Sequence, residues 1–138
     1  MKINSDLKVG DTNATLYDIK THNDQLYQVG WVINTAWSSA PAQQSQPNVI
    51  QTLNIPKGIW LVFGEWTYEG DDLSTYTSIN GINFAGATSS YDDHGWVNQQ
   101  TCGLANSNGT QVAQLNVWPR NKSVTLKGLL WAIKIANN

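Results

Sequence analysis

Charged side chains are scarce in this chain. Asp, Glu, Lys and Arg supply 13% of its 138 residues, against about 25% in an average globular domain. Eight basic residues, with a single arginine among them, are outnumbered by ten acids. That balance excludes a basic nucleic-acid interface. A formal net charge of only −2 with 10% aromatic residues also excludes an acidic disordered tail. Cysteine is reduced to Cys102, so no intramolecular disulfide and no Cys-rich metal site can form. Long apolar runs are missing as well. Ile59–Phe63 and Leu129–Ile133, five residues each, fall far short of the roughly 20 that a membrane-spanning helix needs. The N-terminal stretch MKINSDLKVGD has no apolar segment of the kind a secretory signal requires.

Catalytic equipment is equally thin. The two histidines, His22 and His94, lie far apart, and the acids collect in turns. No nucleophile with a base, no glycosidase-type carboxylate pair and no glycine-rich phosphate loop follows from the spacing. The chain is expected not to be an enzyme, and to need neither cofactor nor metal.

Neutral polarity takes the place of charge. Asn, Gln, Thr and Ser account for 47 of the 138 residues, beside seven tryptophans. The length fits one domain with a short appendage. Residues 1–29 are polar with thinly spaced apolar side chains and read as a neck or connector. Residues 30–138 read as the domain, and almost all of it is strand pattern. The segments are WVINTAWS (31–38), NVIQTLNI (48–55), GIWLVFGEWTY after the Pro56-Lys57-Gly58 turn, and TYTSINGINF (75–84) with its Asn80-Gly81 bend. WVNQQTCGLA (96–105), TQVAQLNVW (110–118) and KSVTLKGLLWAIKIA (122–136) follow. SAPAQQSQP (39–47) and AGATSSYDDHG (85–95) read as loops. In GIWLVFGEWTY, Trp60, Val62, Gly64 and Trp66 fall on one face and Ile59, Leu61 and Phe63 on the other. Both faces begin apolar, which predicts burial on both sides, inside a sandwich or at an oligomer contact. No long stretch carries the helical apolar period. Short strands at this spacing predict an all-β fold, an antiparallel two-sheet sandwich or barrel, with immunoglobulin-like and jelly-roll topologies as the candidates. The Cys…Trp…Cys signature of a true immunoglobulin domain is missing.

Three segments in order carry a family resemblance. NVIQTLNIPKGIWLVFGEWTY, STYTSINGINF and KGLLWAIKIAN resemble successive strands of the jelly-roll head domains at the tips of bacteriophage tail fibres and receptor-binding proteins. Those heads are similar to tumour-necrosis-factor-like trimers. The resemblance runs from about Gly30 to Ile135, and LKVGDTNATLYDI looks like the end of a fibre shaft leading into such a head. The long shaft of the lactococcal type is lacking, which implies a C-terminal piece of a longer protein. The resemblance implies an antiparallel jelly-roll sandwich, a homotrimer and a non-catalytic role in host attachment. Its partners would be a host-surface glycan or cell-wall polymer and other tail or baseplate proteins, with the protein located in the virion. The alternative is a structural virion fibre or decoration knob with no glycan site. A secreted trimeric signalling or lectin-like domain fits less well, because signal and disulfides are missing.

Candidate contact residues are few. Trp60, Trp66 and Trp131 sit mid-strand and read as core or interface, and Trp31 as packing. Trp37, Trp96 and Trp118 sit at strand ends, where an exposed ring can stack on the apolar face of a sugar. TSSYDDHGW (88–96) gathers Tyr91, Asp92, Asp93, His94 and Trp96 in one predicted loop. These groups can exchange hydrogen bonds with sugar hydroxyls, and the Asp oxygens also suit a divalent cation, although no metal is assigned. A plain solvated turn explains the same residues. Arg120 offers a planar fork for a phosphate or carboxylate, and a surface ion pair serves it equally well. Cys102 reads as a small buried apolar residue.

Overall fold

The period-two patterns fold into two antiparallel sheets packed face to face. The computed structural model describes residues 6–9, 12–15, 28–92 and 95–138. Eleven strands occur among them: β1 (Asp6–Val9), β2 (Thr12–Thr15), β3 (Val32–Asn34), β4 (Ser38–Ala42), β5 (Asn48–Ile55), β6 (Gly58–Tyr68), β7 (Leu73–Asn80), β8 (Ala87–Asp92), β9 (Val97–Ser107), β10 (Gln111–Pro119) and β11 (Val124–Ala136). One sheet, the front, has the order β5-β10-β7-β8. The other, the back, has the order β3-β11-β6-β9, with β4 also paired to β11. From β4 onward nearly every connection carries the chain from one sheet to the other. That wrapping is an antiparallel jelly roll, as expected. Much of the connector expected over residues 1–29 lies outside the described residues, apart from the antiparallel β1–β2 hairpin.

Alternation decides what is buried. Trp60, Val62 and Trp66 of β6, with Leu126, Leu130 and Ala132 of β11, point inward from the back sheet. Ile50, Ile55, Leu73, Ile79, Leu115 and Val117 meet them from the front sheet. Two of the polar groups that enter this interior meet neutral partners. The Trp66 indole N–H donates to Thr77 Oγ1 at 2.8 Å, and Ser107 Oγ donates to the Ile55 carbonyl at 2.8 Å. The Asn80-Gly81 bend is present, and Gly81 has φ +82°. A Cβ there would stand 2.0 Å from the Val112 carbonyl oxygen, so the bend admits only glycine.

The sequence reading is corrected at three places. WVINTAWS is not one strand. It breaks into β3 and β4, because Thr35 leaves the ladder: its amide donates to Leu130 O at 2.8 Å and its hydroxyl accepts from Leu130 N at 3.1 Å. β4 therefore runs into the expected loop, with Pro41 tolerated on a strand paired on one side. Residues 85–95 are not all loop either. Ala87–Asp92 form β8, paired with β7 from Leu73↔Asp92 to Ser78↔Ala87. Its Ala-Thr-Ser-Ser composition has little apolar alternation, and tertiary pairing supplies what propensity lacks. Finally, Cys102 is exposed, since its place on β9 faces away from the core.

Lys134 breaks the inward alternation of β11. It continues the buried series Leu126, Leu130, Ala132 and is only 1% exposed. Its stem packs over Gly58, where a Cβ would meet Lys134 Cε at 2.6 Å. Burial strips water from the ammonium and lowers its pKa below 10.5. The unfolded chain thus holds this proton at pH values where the folded chain has released it. Stability should rise with pH from the lowered folded value up to 10.5, and be least helped below that window. Urea midpoints measured at neutral and alkaline pH should show this rise in the wild type and a flatter profile in Lys134→Met.

Candidate functional site

The outward face of the front sheet is polar and carries its aromatic side chains at one end. Tyr76, Ser78 and Asn80 alternate outward along β7, because Thr75, Thr77 and Ile79 point inward. The register sets Trp118 of β10 directly opposite Tyr76, and Tyr76 opposite Ser89 of β8. The next row is Asn116, Ser78 and Ala87, and beyond it Gln114 faces Asn80. Directly opposed side chains have Cβ atoms about 5 Å apart, and successive rows are about 7 Å apart.

These rows enclose a groove of about 340 Å³ lined by Trp118, Tyr76, Ser78, Asn80 and Asn116, with Pro47, Ala85 and Ala87 completing it. Trp118 is 42% exposed and Tyr76 40%, so both rings are half held by the sheet and half open. Asn116 is 8% exposed and lies at the floor. Ser78 Oγ donates to Asn80 Oδ1 at 3.2 Å, which orients that amide. The lining holds no charge. It offers two aromatic surfaces for an apolar ring face, and amides and a hydroxyl for the rim of such a ring.

The residues expected to form one loop site separate. Tyr91 ends the outward row of β8, and its hydroxyl donates to Asp72 Oδ1 at 2.8 Å. Asp92 is the last residue of that strand, and Asp93 and His94 lie outside the described residues. Trp96 is 59% exposed just before β9, beside Gly95, whose carbonyl accepts from Gly70 N at 3.1 Å. Arg120 follows β10, and its guanidinium donates to Ser89 Oγ at 3.2 Å. The structure thus brings Trp118, Arg120 and Tyr91 to one end of the front sheet. Trp37 is not among them. Its neighbours Ala36 and Ser38 contact Gln51 of β5, at the opposite edge of that sheet. Sequence reading missed Tyr76, Ser78, Asn80 and Asn116. The alternation within TYTSIN and QLNVW held the signal, but attention to loops and strand ends passed over the strand faces.

The back sheet presents a different outward face. Its rows are Leu129, Glu65 and Gln100; then Trp131, Phe63 and Cys102; then Ile133, Leu61 and Leu104. Val32 of the edge strand β3 adds to the last row. The Phe63 and Trp131 rings stack with centroids 4.2 Å apart and planes at 14°. Gln100 Nε2 donates to Glu65 Oε2 at 2.8 Å, which ties the one acid of these rows to a neutral partner. Two-sided apolarity in β6, visible in the sequence, is therefore core on one face and this open patch on the other. Its large apolar side chains, Leu61, Phe63, Leu104, Leu129, Trp131 and Ile133, are half-buried.

No protein-family model matches the chain, and no curated protein is similar to it. Thirteen chains of solved structures match it, three of them as follows. A protein of infectious bursal disease virus, Gx strain, aligns over 97% of this chain with a TM-score of 0.52 and 12% identity, and the chain spans 38% of that protein's length. The globular domain of zebrafish complement 1qA protein aligns over 81% of this chain and 100% of its own, with a TM-score of 0.49 and 8% identity. TmCBM61, solved in complex with β-1,4-galactotriose, aligns over 83% of this chain and 77% of its own, with a TM-score of 0.43 and 13% identity. At this identity the likeness to the viral protein is one of fold, and it agrees with a jelly-roll sandwich.

Proposed function

We propose that the chain is a homotrimeric head domain of a bacteriophage tail fibre or receptor-binding protein, attaching to a bacterial surface glycan without catalysis. The observation that carries this reading is the front-sheet groove, where Trp118 and Tyr76 stand opposed above Asn116 and Ser78. Aromatic platforms with amides and hydroxyls suit a sugar, which is apolar on its ring faces and polar around its rim. A shallow groove of this kind binds weakly by itself. Three per head, repeated around a virion tail, would convert weak contacts into firm attachment. The apolar back sheet gives three copies a face to share, and the scarcity of charge on it avoids like-charge repulsion around an axis.

The test is a bacterial glycan array followed by calorimetry on whatever binds. Trp118→Ala and Tyr76→Ala should each weaken binding at least tenfold, while leaving the far-ultraviolet circular dichroism unchanged. Tenfold corresponds to about 1.4 kcal/mol, a scale that the contact area of one aromatic ring can supply. If the wild type binds no glycan at millimolar concentration, the reading gives way to that of a structural virion knob.

A further inference from the structure

We propose that the groove's ligand is an acidic glycan whose carboxylate or phosphate oxyanion is held by Arg120 at the aromatic end of the groove. This inference rests on the glycan reading above and adds the ligand's charge. Arg120 is the only arginine in the chain, and its placement is unusual for a surface side chain. Its backbone amide donates to Ser74 O at 2.8 Å, which fixes its origin at the end of β10 beside β7. Its guanidinium Nη2 nevertheless reaches Ser89 Oγ, on β8, at 3.2 Å. The order β10-β7-β8 means that the side chain spans β7, a distance of about 10 Å at ordinary strand spacing. Ser89 is the register partner of Tyr76 and stands two residues from Ala87, and both of these line the groove.

Holding a long side chain in one extended arrangement opposes its rotamer entropy. An ion pair would account for it, yet among the described residues no carboxylate pairs with Arg120. Asp72, an acid on this side, accepts from Tyr91. One guanidinium N–H meets a neutral serine, and the fork carries five. Groove-lining residues bring no negative charge to repel an anion. A planar fork beside aromatic walls, with no carboxylate partner among the described residues, matches an oxyanion carried on a sugar ring better than a neutral sugar.

The experiment compares wild type, Arg120→Gln and Trp118→Ala on matched probes: oligogalacturonate, its methyl ester, and poly(glycerol phosphate), within an array that also holds neutral bacterial glycans. The wild type should bind an acidic probe at least tenfold more tightly than the neutral ones, and less tightly as NaCl rises from 50 to 500 mM. Arg120→Gln should lose at least tenfold on the acidic probe and leave residual neutral binding unchanged. Preference for oligogalacturonate identifies a carboxylate, and preference for poly(glycerol phosphate) a phosphate. Equal binding of acid and ester, or an Arg120→Gln variant that binds as the wild type does, overturns the inference and leaves the glycan reading intact. Absence of binding to every glycan, acidic and neutral, overturns both.

Discussion

Trp131→Glu should convert an assembly of about three chain masses into folded monomers of 15.2 kDa. Trp131 stands in the middle of the back sheet's outward face, in the row it forms with Phe63 and Cys102. The row on one side of it is Ile133, Leu61 and Leu104, and on the other side Leu129 stands beside the hydrogen-bonded Glu65 and Gln100. Monomeric proteins seldom leave so contiguous an apolar face in water. If this face packs around a three-fold axis, each carboxylate introduced there is desolvated without a partner. A buried uncompensated charge costs about 3–5 kcal/mol, and each trimer would carry three. The monomer, by contrast, loses little. Its position 131 is half-buried on the outward face rather than in the core, and the stacking with Phe63 is worth about 1 kcal/mol. Sedimentation equilibrium with circular dichroism separates the two effects, and Trp131→Phe serves as the control that keeps the assembly. A wild-type mass of one chain, or a Trp131→Glu variant that keeps the wild-type mass, would sink the trimer.

The front and back sheets differed in how much of them the sequence disclosed. β6 was legible because Trp60, Val62 and Trp66 alternate with Ile59, Leu61 and Phe63, a short two-sided apolar run bounded by turn residues. β5, β10 and β11 announced themselves by similar alternation between turn residues. β8 did not, because Ala87–Asp92 carry no apolar signal and are held in place by β7. The break at Thr35 was hidden for the same reason: its hydrogen bonds run to Leu130, 95 residues away. The groove fared likewise. Trp118 and Arg120 could be singled out one at a time, but the register that sets Trp118 against Tyr76 comes from a pairing of distant strands. Cys102 shows the limit of position within a strand as a guide. Mid-strand residues are buried on one face only, and which face is core depends on the sheet opposite.

Removing the indole N–H of Trp66 together with its Thr77 acceptor should weaken the fold by less than the sum of the two separate removals. Trp66 and Thr77 belong to β6 and β7, one in each sheet, and meet inside the core at 2.8 Å with both residues fully buried. Trp66→Phe leaves the Thr77 hydroxyl without its partner and opens a void, at about 2–4 kcal/mol. Thr77→Val leaves the indole N–H unmet, at about 1–3 kcal/mol. In the double variant neither orphan remains, so its destabilisation should fall short of the sum by about 1 kcal/mol or more. Urea unfolding at one fixed protein concentration measures all four corners, since assembly makes stability concentration-dependent. Additivity within about 0.5 kcal/mol would mean that the bond carries no coupling of its own. The pair also bears on the groove. Thr77 lies between Tyr76 and Ser78, so its inward bond anchors the strand whose outward side chains wall the site. All three variants should therefore bind glycan less tightly than the wild type, although none of them alters a residue that lines the groove.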